Sequence, residues 1–257
     1  ALAAWQALTL PKAPASRVPS VEPDLTAALE ARYANPQPED RLPLDRAYAD
    51  RMRELRKRYP TDADTGALCG EAVMNLWPWD LWTLEGEPRD DTQEVLDILQ
   101  ATLRLNPEHP LALHLYIHAV EGSPHPELAA EAAETMRRLP LRLGHLVHMP
   151  SHIDVRLGHW KQAVATNDRA ISADTAYREA VPEVGFYRTY MAHNYHMLAF
   201  AAMMRGMSAR ATEATREMLA EIPAEYVEQN APFVDAFFAM PYEMHLRFGR
   251  WDAMLAE

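Results

Sequence analysis

The chain has 257 residues and carries 37 Asp plus Glu against 25 Lys plus Arg, a net charge of −12. Dispersed basic residues on so acidic a chain argue against nucleic acid as a partner, and apolar runs such as MLAFAAMM (197–204) are far shorter than the roughly 18 to 20 residues a membrane-crossing helix needs. The one cysteine, Cys69, permits no internal disulfide and fits a reducing compartment, so a cytoplasmic location is expected, with neither nucleic acid nor membrane as partner.

The first stretch, ALAAWQALTLPKAPASRVPS, lacks an initiating Met, a basic leader and a long apolar segment, and reads as part of a longer chain. From about residue 24 the pattern is helical. There are only 9 glycines, β-branched residues are sparse, and Ala, Leu, Met, Glu and Arg dominate, which favours helix over strand. Most of the 20 prolines stand between helical patterns, where they end one helix and allow the next. In chain order these breaks are PKAPASRVPSVEP, ANPQPEDRLP, RYPTD, LNPEHP, GSPHPE, RLP, EIPAE and AMPYE. Between RYPTD and LNPEHP lie a helical ALCGEAVMN, with Cys69 and Glu71, and an insertion WPWDLWTLEGEP whose Trp77, Trp79 and Trp82 are expected to plug the first helices. The expectation is an all-α chain forming a single domain over 1–257.

The second half repeats itself. When Gly158 is matched to Gly249, Met149-Pro150 falls on Met240-Pro241, Arg156 on Arg247 and Trp160 on Trp251. Matching Gly158 to Gly206 instead puts His145 on His193 and His148 on His196. A third unit, HLYIHAVEGSPHPELAAEAAETMRRLP (114–140), aligns with a slightly longer loop, placing His114 and His118 near the positions of His148 and His152.

These units resemble tetratricopeptide repeats, in the Gly-x-aromatic turns GHW and GRW, in Ala163 and Ala211 early in the second helix, in Ala170 near its end, and in the break at Pro223. The resemblance implies an α-solenoid of five to six tetratricopeptide-like helix pairs. It also implies that first helices line a concave groove which all three histidine motifs face. The strings MNLWPWDLW, HLYIHAVE, GHLVHMPSHI and HNYHML further resemble a bacterial group of longer tetratricopeptide-like proteins with these blocks in the same order. That resemblance implies a metal-centred function and a further helical segment before residue 1.

Seven of the 11 histidines fall in three windows totalling 17 residues. Pairs at i, i+3 or i, i+4 set two imidazoles on one helix face, and neutral imidazole suits copper, zinc or iron. The candidate ligands are His114, His118, His148, His152, His193 and His196, supplying three or four imidazoles with an open position if the site is catalytic. Pro150, inside HMPSH, either starts a helix or kinks one, and either outcome turns a straight histidine stripe toward a pocket. Glu121, one turn after His118, is the candidate catalytic residue, as general base or as the acceptor of an imidazole N–H. Asn194 and Asp154 are weaker candidates for holding a ligand in place. Ser151 shows no oxyanion hole, and His109, His125, His159 and His245 fall at loops, turns or the opposite face.

Two functions stay open. One is a metal-dependent oxidoreductase or hydrolase acting on a small molecule or peptide in the groove. The other is a non-catalytic module whose histidines hydrogen-bond a peptide or protein partner. A clamp for a peptide carboxylate is expected to present Lys, Arg and Asn, and these concave positions carry His.

Overall fold

A computed structural model of the protein describes residues 2–8 and 21–256, and the proline-rich break expected over 11–20 lies outside them. The described residues contain no strand, only an isolated bridge between Trp82 and Pro88. No described helix is long and apolar enough to cross a membrane. The chain divides into two units, Ala1–His125 and Pro126–Glu257.

The first unit runs through α1 (Leu2–Leu8), α2 (Glu22–Glu30), α3 (Leu42–Arg58), α4 (Ala63–Met74), α5 (Thr92–Leu105) and α6 (Pro110–Glu121). Local signals set these boundaries. Proline opens α2, α3 and α6 in the first turn, where its missing N–H leaves no intrahelical bond unmade. The Asp62 carboxylate caps α4 by accepting from Thr65 N at 2.7 Å, and Arg56, Lys57 and Arg58 complement the dipole at the end of α3. Buried Tyr48, Ala49, Met52 and Leu55 form the inner stripe of α3, at the spacing that keeps one helix face turned inward.

The tryptophan-rich connection between α4 and α5 departs from the expected plug. Trp77 Nε1 donates to Asp91 Oδ2 at 2.8 Å, and Trp82 Nε1 donates to the Ala119 carbonyl at 2.7 Å, so these two do tie the insertion down. Trp79 instead has φ +54° and is 94% exposed, because the left-handed backbone turns its ring out to solvent.

The second unit opens with a 3₁₀ turn at Pro126–Ala129. It continues through α7 (Ala130–Arg138), α8 (Gly144–His148), α9 (Pro150–Arg156), α10 (Trp160–Ala180), α11 (Tyr187–Met204), α12 (Ser208–Ala220), α13 (Ala224–Val234), a 3₁₀ turn at Asp235–Ala239, α14 (Met240–Arg247) and α15 (Trp251–Met254). Its repeat is physical as well as textual. Gly158, Gly206 and Gly249 have φ of +74°, +72° and +65°, the left-handed value that closes a helix at little cost only for glycine. At each of the three, the residue after the glycine donates its N–H back to a carbonyl one turn earlier: His159 to Asp154, Met207 to Ala202 and Arg250 to His245, at 2.7–2.9 Å. The same hydrogen-bonded stop thus ends α9, α11 and α14 and reverses the chain into α10, α12 and α15.

Small residues then let the pairs close. Ala163, Ala192, Ala199, Ala202, Ala211 and Ala214 are fully buried, interleaved with Leu198, Met218, Met240 and Met244. At about 25 cal/mol per Å² of apolar surface removed from water, this core holds α10, α11, α12 and α14 as one stack. Ala163 and Ala211, expected at tight second-helix positions, are both wholly buried, and so is Ala170.

Candidate metal centre

Pro150 is the first residue of α9, and Met149 before it keeps helical angles of φ −48° and ψ −41°. Pro150 therefore starts α9 directly after α8, and the backbone gives up the hydrogen bond that proline cannot donate. His148 and His152 remain one turn apart across this junction, with their Nε2 atoms 2.8 Å from each other. The neighbouring α11 brings in a third ring, His193, at centroid distances of 4.8 Å from His148 and 5.5 Å from His152. One nitrogen from each of His148, His152 and His193 lies within 4.8 Å of the other two. Two nitrogens bound about 2.0–2.1 Å from a single zinc stand roughly 3.3 Å apart at the tetrahedral angle, so side-chain shifts of up to about 1.5 Å would bring this triad to that spacing.

His148 is the fixed point of the three, being fully buried. Asn167, on α10, donates its Nδ2 to the Ala163 carbonyl at 2.9 Å, which leaves its Oδ1 facing His148 Nδ1 at 3.0 Å. An oxygen there accepts the Nδ1 proton, so the Nε2 lone pair of His148 points at the other two histidines. With the Nδ1 proton hydrogen-bonded to Asn167, the 2.8 Å contact is completed when His152 Nε2–H donates to His148 Nε2. Burial, and then the nearness of His152, His193 and His145, push the His148 pKa well below the usual imidazole range, with the Asn167 bond opposing. The ring is therefore neutral at pH 7, as a ligand must be.

His145 and His196 flank the triad. The His145 ring lies 5.6 Å from His148, tilted by 31°, and is edge-on to Tyr190 at 4.7 Å. His196 lies 5.8 Å from His193, against Phe237 at 5.6 Å. Its Nδ1 is buried without a hydrogen-bond partner, and burial lowers its pKa. The structure thus brings His148, His152 and His193 together and sets His196 beside them.

The remaining sequence candidates lie on α6, in the first unit. His114 and His118 meet edge to face at 4.8 Å, and His118 Nδ1 lies 2.6 Å from Glu121 Oε1. Glu121 therefore holds His118 at Nδ1, the same ring nitrogen at which Asn167 holds His148.

Other residues have different partners from those expected. Asp154 binds Arg137 through both oxygens at 3.0 and 3.1 Å, and Asn194 donates to Asp174 Oδ2 at 2.7 Å. Ser151 is buried with its Oγ 3.3 Å from His148 Nδ1. His109 caps α6, with Nδ1 accepting from Ala112 N at 3.2 Å and Nε2 2.9 Å from Asp64. His245 is buried on α14 rather than exposed.

Three supporting residues were not singled out in the sequence: Asn167, Asp174 and Tyr187. Asp174 is buried, and its Oδ1 accepts from the Tyr187 hydroxyl at 3.2 Å while that oxygen accepts from His145 N at 3.1 Å. A side chain at Gly144 would collide with the Asp174 carboxylate, so the glycine that opens α8 makes room for the group that anchors it. Burial raises the Asp174 pKa against the pull of Asn194 and Tyr187, and pushes the Tyr187 hydroxyl up to about 12. The one available sequence signal was a buried register: Asn167 lies one turn after Ala163 and Asp174 one turn after Ala170, on the inner side of α10.

No protein-family model and no curated protein sequence matches the chain. Among solved structures it is similar to the MamA protein, at a TM-score of 0.51 and 12% identity over 74% of this chain and 86% of that one. MamA contains tetratricopeptide repeats, and the likeness shows the fold: an all-α, tetratricopeptide-like helical repeat.

Proposed function

We propose that the chain is a metal-dependent enzyme, an oxidoreductase or hydrolase for a small molecule or peptide, built on a tetratricopeptide-like scaffold. One observation carries the reading: three imidazoles converge from α8, α9 and α11, while a buried amide orients the central one and burial keeps it neutral. Nitrogen donors of this kind suit copper, zinc or iron. Three protein ligands leave a coordination position for water or substrate, the arrangement of catalytic rather than structural zinc. The bound ion would polarise that ligand or lower the pKa of a bound water. His196, beside His193 and with its pKa lowered by burial, supplies a proton acceptor. On α6, His114, His118 and Glu121 form a cluster of the first unit, in which Glu121 orients His118 and is a candidate general base. A cytoplasmic protein of the bacterial group sharing the HLYIHAVE, GHLVHMPSHI and HNYHML blocks fits this reading. Burial pushes the Cys69 thiol up to about 11 and leaves it inert, so it takes no part in this chemistry.

The second reading, a non-catalytic module for a peptide or protein partner, is favoured by the repeat fold, whose concave faces commonly serve that purpose. Metal content of protein purified without a histidine tag, compared between the native chain and His148→Ala, decides between them. The metal reading expects close to one ion per chain in the native protein and a marked loss in the variant, with helical circular dichroism kept. Equal content in both, or none in either, leaves the peptide-binding module.

A further inference from the structure

Aromatic rings continue outward from the triad. His145, tilted against His148, meets Tyr190 edge-on at 4.7 Å, Tyr190 meets Phe186 at 6.2 Å, and Phe186 meets Phe233 at 5.4 Å, the last two also edge to face. All these separations lie in the range of about 4.5 to 7 Å where aromatic rings attract one another, so the strip is preorganised. It is also open, with Tyr190 36%, Phe186 48% and Phe233 58% exposed. Contiguous exposed rings beside a polar cluster mark a ligand-binding surface more often than an ordinary exterior.

The polar groups around the strip limit what can lie on it. Arg178 pairs with the Glu221 carboxylate, and Arg188 donates to the Glu221 carbonyl at 2.7 Å with its guanidinium over the Tyr226 ring. Neither arginine is turned to the strip as an anchor for an anion. Tyr187 is engaged with Asp174 and His145 N, while the Thr189 and Tyr226 hydroxyls are 2.6 Å from each other and Tyr226 also reaches the Phe186 carbonyl. An extended peptide would bring amides that these occupied groups cannot satisfy. A flat, uncharged ring needs only apolar contact and edge-to-face packing.

We infer that the open position of the His148–His152–His193 centre receives a small aromatic molecule whose metal-binding group faces the ion and whose ring lies on the inner end of the strip, against Tyr190 and toward Phe186. The inference rests on the metal reading above and names its substrate class. Zinc-loaded protein is titrated calorimetrically with acetohydroxamate and with benzohydroxamate, which share a metal-binding group and differ in methyl against phenyl. The phenyl compound should bind at least about tenfold tighter to the native chain, given the apolar surface it buries. Tyr190→Ala and Phe186→Ala should bring that ratio toward one with zinc content unchanged. Both are exposed, so folding should survive, and circular dichroism checks it. Equal affinities in the native chain, or a ratio that both variants preserve, would overturn the inference. A peptide ending in phenylalanine hydroxamate that binds tighter than benzohydroxamate would overturn the small-molecule assignment. Failure to retain zinc would end the metal reading itself, and metal analysis before titration separates that failure from the others.

Discussion

Histidines one helix turn apart occur on α6 and at the α8–α9 junction, yet the two places treat them differently. On the unbroken α6, His114 and His118 stack edge to face and Glu121 orients the second of them. At the junction, proline interrupts the helix, His148 is fully buried, a neutral amide orients it, and His193 arrives from α11. The carboxylate partner makes an imidazole a stronger donor and brings charge, whereas the amide brings orientation alone. Burial then supplies what the amide does not, by disfavouring the protonated ring. In the second unit the repeat adds a third imidazole to such a pair, by placing the next first helix alongside.

Several experiments break or sharpen that contrast. The largest effect should come from removing metal, because an ion bound only by folded protein adds RT ln(1 + [L]/Kd), about 2.7 kcal/mol at a hundredfold excess over Kd. Chelation of metal-loaded protein should lower the melting temperature by several degrees at pH 7. Hydrogen exchange should show the lost protection on α8, α9 and α11; loss elsewhere alone would place the ion at another site.

Next in size is Gly144→Ala, which forces a methyl group into the Asp174 carboxylate. A cost of about 2–3 kcal/mol in chemical denaturation is expected from overpacking and a disturbed buried carboxylate. An unchanged midpoint would show that α8 is not anchored there.

Asn167→Ala should leave the fold standing while weakening metal affinity about 10- to 100-fold, since it frees His148 to rotate and change tautomer. Glu121→Gln, made in parallel, tests whether the carboxylate on α6 supplies more than orientation. Competition against a chromophoric chelator measures both. An Asn167→Ala affinity equal to that of the native chain would remove the amide from the account.

The pH response is smaller. His148, and less strongly His196, are held below the ordinary imidazole pKa of about 6.5 when folded. The unfolded chain therefore binds more protons over the interval just below pH 6.5, and stability should fall with acidification there by up to about 1.4 kcal/mol per pH unit for each such ring. Asp154 and Asp174, whose pKa values are raised by burial, contribute the opposite sign above the ordinary carboxylate pKa, so they do not explain that loss. His148→Gln should flatten the slope; an unaltered slope would assign it to other groups.

Helix content, the Gly158, Gly206 and Gly249 stops and the tight alanines were legible in the sequence, because each rests on a local rule of backbone or packing. The histidine motifs were legible as spacing. Their supports were not: Asn167 and Asp174 reach the site from α10, whose pattern reads as ordinary repeat packing, and only three-dimensional contact shows what they hold. Trp79 misled for a related reason, since its direction is fixed by a single left-handed φ and not by its size.

The central claim is a three-imidazole centre with one open position, and X-ray absorption of the metal-loaded protein tests it most directly. The account predicts about three imidazole nitrogens near 2.0–2.1 Å together with one exchangeable light atom, and the imidazole signal should weaken in His193→Ala. Four protein ligands with no exchangeable position, a sulfur shell, or a spectrum indifferent to His193→Ala would contradict it.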